Sequence, residues 1–166
     1  GYTSYADLLL NAGKRYGVNP FILASKLINE HGSDGNSGSV SGKVEGYEGY
    51  YNYFNIGAYA HSGRSAIENG LIYAKEHGWD SREKSIMAGT EFFAKDYIRS
   101  NKTTAYFQKF NVMNGASAVA RGQYMTALWG ANSTGVTLGK GYVSAYSSAL
   151  TFEIQVYLSM PTHPVP

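Results

Sequence analysis

Two stretches decide how this chain reads: Asn19-Pro20-Phe21-Ile22-Leu23-Ala24-Ser25-Lys26-Leu27-Ile28-Asn29-Glu30-His31-Gly32, and Tyr50-Tyr51-Asn52-Tyr53-Phe54-Asn55-Ile56-Gly57-Ala58. The first is a helix. Asn19 supplies a capping oxygen, Pro20 suits the first helical position because it has no amide hydrogen to satisfy, and Gly32 ends the run. Leu23, Leu27 and Glu30 fall at i, i+4 and i+7, so the carboxylate continues an apolar stripe instead of joining a solvated face. A half-buried carboxyl at the negative end of a helix dipole is favoured in its neutral, proton-carrying form, the form a general acid needs. The plainer alternative is a glutamate that merely ends a helix and points to water. Helix position alone leaves both open.

Residues 50–58 alternate aromatic and polar side chains too evenly for a plain core strand. Asn52 and Asn55 can donate to and accept from sugar hydroxyls or an acetamide, and Tyr53 and Phe54 offer ring faces. Equally, the asparagines can cap turns while the rings fill the core. Between the two stretches, residues 32–49 shift to Gly, Ser, Asn and Val, with Glu45 and Glu48 as carboxylates. This reads as a flexible loop with a short hairpin at about residues 39–45, forming the mobile rim of a groove. Asp34 and Asn36 beside glycine resemble part of a calcium loop, but the downstream ligand spacing is missing, so no metal site is expected.

The remainder reads as scaffold. Residues 4–16 form a helix capped by Ser4 or Thr3 and closed by Gly17. Ser65 with Glu68 is a capping box opening a helix to about His77, and Asp80 with Glu83 is a second, opening one to about Ser100 with the stripe Ile86, Thr90, Phe93 and Tyr97. Short helices are expected at residues 103–110, 116–122 and 142–149, with Trp129 in a Gly- and Asn-bearing loop. Phe152, Ile154 and Val156 alternate with Glu153, Gln155 and Tyr157 at strand period. The four histidines lack the spacing of a zinc helix.

At 166 residues the chain fits one domain, 1–166, large enough for a real core. It has no cysteine, which removes disulfides and thiol chemistry. The net charge is only +2 and no basic stripe appears, which disfavours nucleic acid. No apolar run is long enough for membrane insertion, and residues 1–10 lack the basic start and cleavage site of a signal peptide, as expected of a mature or excised domain. The 15 tyrosines are the compositional anomaly, since phenol rings combine a stacking face with a polar tip.

Three blocks carry a resemblance: residues 24–30 (Ala-Ser-Lys-Leu-Ile-Asn-Glu), residues 44–58 (Val-Glu-Gly-Tyr-Glu-Gly-Tyr-Tyr-Asn-Tyr-Phe-Asn-Ile-Gly-Ala), and Gln123-Tyr124-Met125-Thr126. In this order they are similar to the N-acetylglucosaminidases of glycoside hydrolase family 73, bacterial autolysins that act in cell separation. The resemblance implies an α+β, mainly α, lysozyme-like fold, with a helical lobe and a small β-lobe at about residues 32–60 flanking a substrate groove. It implies hydrolysis of the β-1,4 bond after N-acetylglucosamine in peptidoglycan by a secreted, cell-wall enzyme without a cofactor, and a monomer is the default expectation. Glu30 is then the general acid and Tyr124 a tyrosine near the reacting sugar, with Gln123 and Trp129 expected along the groove beside Asn52, Tyr53, Phe54 and Asn55. For the second catalytic group, either Glu48, with Glu45 behind it, activates water, or the substrate's own acetamido oxygen attacks. A muramidase, a lytic transglycosylase or a non-catalytic glycan-binding module on the same fold are the competing readings.

Overall fold

The computed structural model describes residues 4–110, 129–143 and 151–153, together with the single positions 156, 159, 162 and 163. These residues are mainly helical, and the only β pairing among them is an isolated bridge between His61 and Arg64.

The first two helices follow their capping signals. Helix α1 (Tyr5–Tyr16) begins at Ser4, whose hydroxyl accepts from the Asp7 amide, and stops at Gly17 in the left-handed region at φ 71°. Helix α2 (Pro20–His31) begins at Asn19, whose side-chain oxygen accepts from the Phe21 amide at 2.9 Å. The expected hairpin at residues 39–45 is replaced by a short helix, α3 (Gly38–Ser41). Val40 enters the core and the Ser39 carbonyl accepts from the Asn52 amide at 2.7 Å, so this stretch is tied down from inside.

Helix α4 (Ala66–Glu76) carries the full Ser65–Glu68 capping box. Helix α5 (Arg82–Phe93) is capped by Ser81 rather than by the expected Asp80 and Glu83 pair, and continues into a π-helical turn, Ala94–Ile98. Asp80 instead pairs with Lys84 at the surface, 2.6 Å apart. Helix α6 (Ala105–Phe110) follows as expected.

Helix α7 (Gly130–Tyr142) is a correction, since its glycines and asparagine read as a loop. Packing against α2 overrides the weak propensity. Ser25 donates to the Thr134 carbonyl at 3.3 Å, Asn29 donates to the Thr134 hydroxyl at 3.1 Å, and the Thr137 hydroxyl donates to Asn29 at 3.0 Å. At the other end Asn19 donates to the Tyr142 hydroxyl at 2.6 Å, so the two helices run antiparallel. Of the expected closing strand, Phe152, Glu153 and Val156 carry no strand structure, and the rest lies outside the described residues.

One core joins α1, α2 and α5: Leu8, Ala12, Val18, Leu23, Ile86, Phe93 and Ala94, with Val40, Tyr53 and Phe54 entering from residues 40–54. The contribution of Tyr53 and Phe54 places the aromatic stretch directly beneath the end of α2 that carries Glu30.

Candidate active site

Glu30 occupies the last turn of α2, half-buried as its stripe position predicts. Its Oε2 accepts a hydrogen bond from Nδ2 of Asn55 at 2.9 Å. The two defining sequence stretches therefore meet at Glu30 itself, as they also do where His31 reaches the Tyr53 carbonyl.

The turn that delivers Asn55 is built by Asn52. Asn52 is wholly buried; its Oδ1 accepts from the Ile56 amide at 3.1 Å, and its Nδ2 donates to the carbonyls of Ile56 and Gly70, both at 2.8 Å. Gly70 permits this approach, because a Cβ there would lie 2.9 Å from Cβ of Ala58 and 3.2 Å from Asn52 Nδ2. The backbone is anchored further by the Tyr51 amide on the Trp79 carbonyl and the Tyr53 amide on the Ser85 hydroxyl, both 3.1 Å. Asn55 itself sits at φ 49°, a left-handed conformation that asparagine tolerates better than most residues.

Several residues expected along the groove are placed elsewhere. Asn52 is a turn lock, with its amide already satisfied by backbone. Tyr53 and Phe54 are each only 5% exposed and belong to the core; the Tyr53 hydroxyl meets that of Tyr5 at 2.5 Å. The physical reason is that the loop folds back over α5, where an apolar ring is worth more buried than facing water. Trp129 is 79% exposed at the start of α7, and the antiparallel packing sets that start beside the Glu30 end of α2. Tyr59, which sequence reasoning passed over, is 63% exposed and stacks on His61 with ring centroids 4.6 Å apart. Gln123 and Tyr124 lie outside the described residues.

Glu45 and Glu48 are exposed on a turn closed by the Gly49 amide on the Gly42 carbonyl at 3.0 Å. The rings of their neighbours Tyr47 and Tyr50 face Lys75 of α4, at 6.0 and 5.9 Å. Among the described residues no hydrogen bond or ion pair orients either carboxylate.

Behind Glu30 lie two buried basic groups that its own sequence neighbourhood supplies. Lys26, one helical turn earlier, is 1% exposed with its ammonium 4.7 Å from the Phe93 ring centroid. Burial lowers Lys26 to about 7, opposed by the charge of Glu30. His31 is also held below its ordinary value by burial, opposed by its bond to the Tyr53 carbonyl and then by Glu30. Since a carbonyl only accepts, Nε2 of His31 carries the proton, donating at 2.8 Å, and in the neutral ring Nδ1 accepts from Ser37 at 2.6 Å. Burial is not what a lysine on a helix ordinarily suggests, although the Lys26–Glu30 spacing of i, i+4 puts the two side chains on one face.

A stability prediction follows for Lys26. The unfolded chain keeps the Lys26 proton up to about 10.5, whereas the folded chain releases it near 7. Between those values the unfolded state binds more protons, so stability rises with pH across that window and is lowest below it. His31 has the same sign at lower pH: the unfolded ring binds its proton at about 6.5, the folded ring only below that, so stability also falls on acidification through 6.5. Thermal melts from pH 7 to about 9 are expected to rise in wild type and to flatten in Lys26→Met; parallel slopes would discard the assignment.

The chain is similar to proteins of known structure and name. It is 31% identical over 153 residues to the bifunctional autolysin of Staphylococcus epidermidis, covering 88% of this chain but 11% of that protein. The chain thus spans about a tenth of the length of the curated relatives it matches. Autolysin E of S. aureus, solved with the muropeptide NAM-L-Ala-D-iGlu, superposes with a TM-score of 0.73 at 29% identity, over 91% of this chain and 64% of that one. A catalytic glutamate-to-alanine mutant of autolysin E has been solved with the disaccharide NAG-NAM and matches with a TM-score of 0.68 at 28% identity, over 84% of this chain and 60% of that one. S. aureus glucosaminidase B matches with a TM-score of 0.58 at 30% identity, over 82% and 52% of the respective chains. No family model matches the chain.

Proposed function

This chain is a homologue of the staphylococcal autolysins, and from that premise we propose that it is a glycoside hydrolase cleaving the β-1,4 bond between N-acetylglucosamine and N-acetylmuramic acid in peptidoglycan, in the cell wall, during autolysis or cell separation. The observation that carries the reading is Glu30: a half-buried carboxyl at a helix end, held through one oxygen by Asn55 and leaving the other for a substrate. The name of glucosaminidase B supports the choice of bond, and the glycan fragments bound by autolysin E support the substrate class.

In the proposed reaction Glu30 gives its proton to the glycosidic oxygen as the C1–O bond breaks. The acetamido oxygen of the same sugar attacks C1 and closes an oxazolinium ring, and the departing sugar leaves with the proton. The Glu30 carboxylate then takes a proton from a water that adds to C1, which reopens the ring and restores the acid with net retention. Tyr124 is assigned to orienting the acetamido group, and Trp129 and Tyr59 offer exposed ring faces to the glycan. Substrate assistance is favoured over Glu48 as base, because an exposed carboxylate without an orienting contact is a poorly held catalyst.

The test is digestion of purified peptidoglycan, followed by borohydride reduction and mass spectrometry of the fragments. A reduced glucosamine end is expected. A reduced muramic acid end would make the enzyme a muramidase, a 1,6-anhydro end a transglycosylase, and binding without release of ends a glycan-binding module. The anomer of the fresh product, read by NMR, is expected to be β; an α product would require a separate base and return Glu48 to the mechanism.

A further inference from the structure

Three costly features converge on Asn55. Its backbone is left-handed at φ 49° although it is not glycine, its Oδ1 is buried without a hydrogen-bond partner among the described residues, and its side chain is fixed rather than solvated. A left-handed non-glycine residue, even asparagine, and an orphaned buried acceptor each cost folding free energy. Glycine would adopt this backbone freely, as Gly57 does nearby at φ 72°. Nor does the turn need the Asn55 amide, because Asn52 already locks it through Ile56 and Gly70. What asparagine adds over glycine at this position is the hydrogen bond to Glu30.

We propose that Asn55 is a positioning residue for the acid: Nδ2 holds Oε2 of Glu30, which leaves Oε1 as the atom that carries the proton to the glycosidic oxygen. The proposal rests on the reading of Glu30 as the acid. The two oxygens of a carboxyl group are interchangeable by rotation about one bond, and a single donor presented from a rigid turn removes that equivalence. In the neutral acid the carbonyl oxygen is the better acceptor, so a donor at Oε2 assigns the hydroxyl to Oε1. Once the proton has left, the same bond joins a neutral donor to a charged acceptor and strengthens. It therefore stabilises the developing carboxylate more than the starting acid, which is the differential stabilisation that lowers a barrier. In the opposite orientation of the amide, Oδ1 would face Oε2 as two acceptors once the proton has left, so only the observed orientation supports the carboxylate.

The test uses Asn55→Gly and Asn55→Asp, assayed for kcat, KM, the pH profile of kcat, and Tm. In Asn55→Gly the backbone is relieved and only the amide is lost. Its Tm is expected at or above wild type, kcat down about 10–100-fold and KM within about twofold. The alkaline limb of its kcat profile is expected to move to higher pH, because ionised Glu30 has lost a donor. In Asn55→Asp the limb is expected to move further, since two carboxylates within hydrogen-bond distance share one proton. Normal kcat in a folded Asn55→Gly overturns the proposal, as does an unmoved limb, and a raised KM at unchanged kcat would make Asn55 a sugar ligand instead. Should the glycine variant not fold, Asn55→Asp gives the same readouts. An inactive Glu30→Gln beside an unaffected Asn55→Gly sinks only the positioning role, whereas an active Glu30→Gln sinks the acid itself.

Discussion

Glu30→Gln is expected to remove turnover of peptidoglycan by at least about 10²–10⁴-fold, the usual worth of a positioned general acid, while leaving the fold intact. The substitution is nearly isosteric, and the new side-chain oxygen still accepts from Asn55 Nδ2, so the contact that orients the group survives. What is lost is the proton. Binding of glycan fragments is therefore expected to persist, with kcat falling and KM little changed, which is the signature of an interaction made in the transition state. The melting temperature should stay within about 2 °C of wild type, because the residue is only half-buried. A folded Glu30→Gln that retains a tenth or more of wild-type turnover would remove Glu30 from the mechanism.

How this site was legible in the sequence differs from residue to residue. Glu30 could be found because its signal is local: the apolar stripe of α2 and the stop at Gly32 place it without knowledge of any partner. The caps at Ser4, Asn19 and Ser65 were readable for the same reason. The asparagines of residues 50–58 were not separable in this way. Asn52 and Asn55 look alike in the sequence, yet one bonds three backbone groups and the other reaches Glu30, a division set by the non-local approach of Gly70 and α2. Helix α7 escaped because its residues have weak helical propensity and gain their helix from Ser25 and Asn29 of α2. Lys26 escaped because a lysine on a helix is ordinarily solvated, and only the packing of Phe93 over it reveals its burial.

The contact that seats the aromatic stretch gives the largest expected stability effect. Gly89 lies buried in the middle of α5, and a Cβ there would fall 2.8 Å from Cε2 and 2.9 Å from Cγ of Phe54, with Cδ2 nearer still. On propensity alone Gly89→Ala would stabilise the helix by about 1 kcal/mol. Overpacking acts in the opposite direction, at about 1–3 kcal/mol or more when a rigid ring has to move. Phe54 is 5% exposed within the core, so it has no solvent side to retreat to. The clash is therefore expected to win, with a net loss of up to about 2 kcal/mol, or up to about 4–8 °C in Tm for a chain of this size. Because Asn55 follows Phe54 directly, the displaced ring also shifts the donor on Glu30, and activity well below Tm is expected to fall as well. Phe54→Leu in the Gly89→Ala background supplies the decisive comparison. If the two residues compete for one space, the double variant is more stable than the sum of the single losses predicts, by about 1 kcal/mol or more. A Gly89→Ala melt at or above wild type would mean that α5 and the aromatic stretch are not packed ring against glycine, and the seat assigned to Asn55 would have to be redrawn with them.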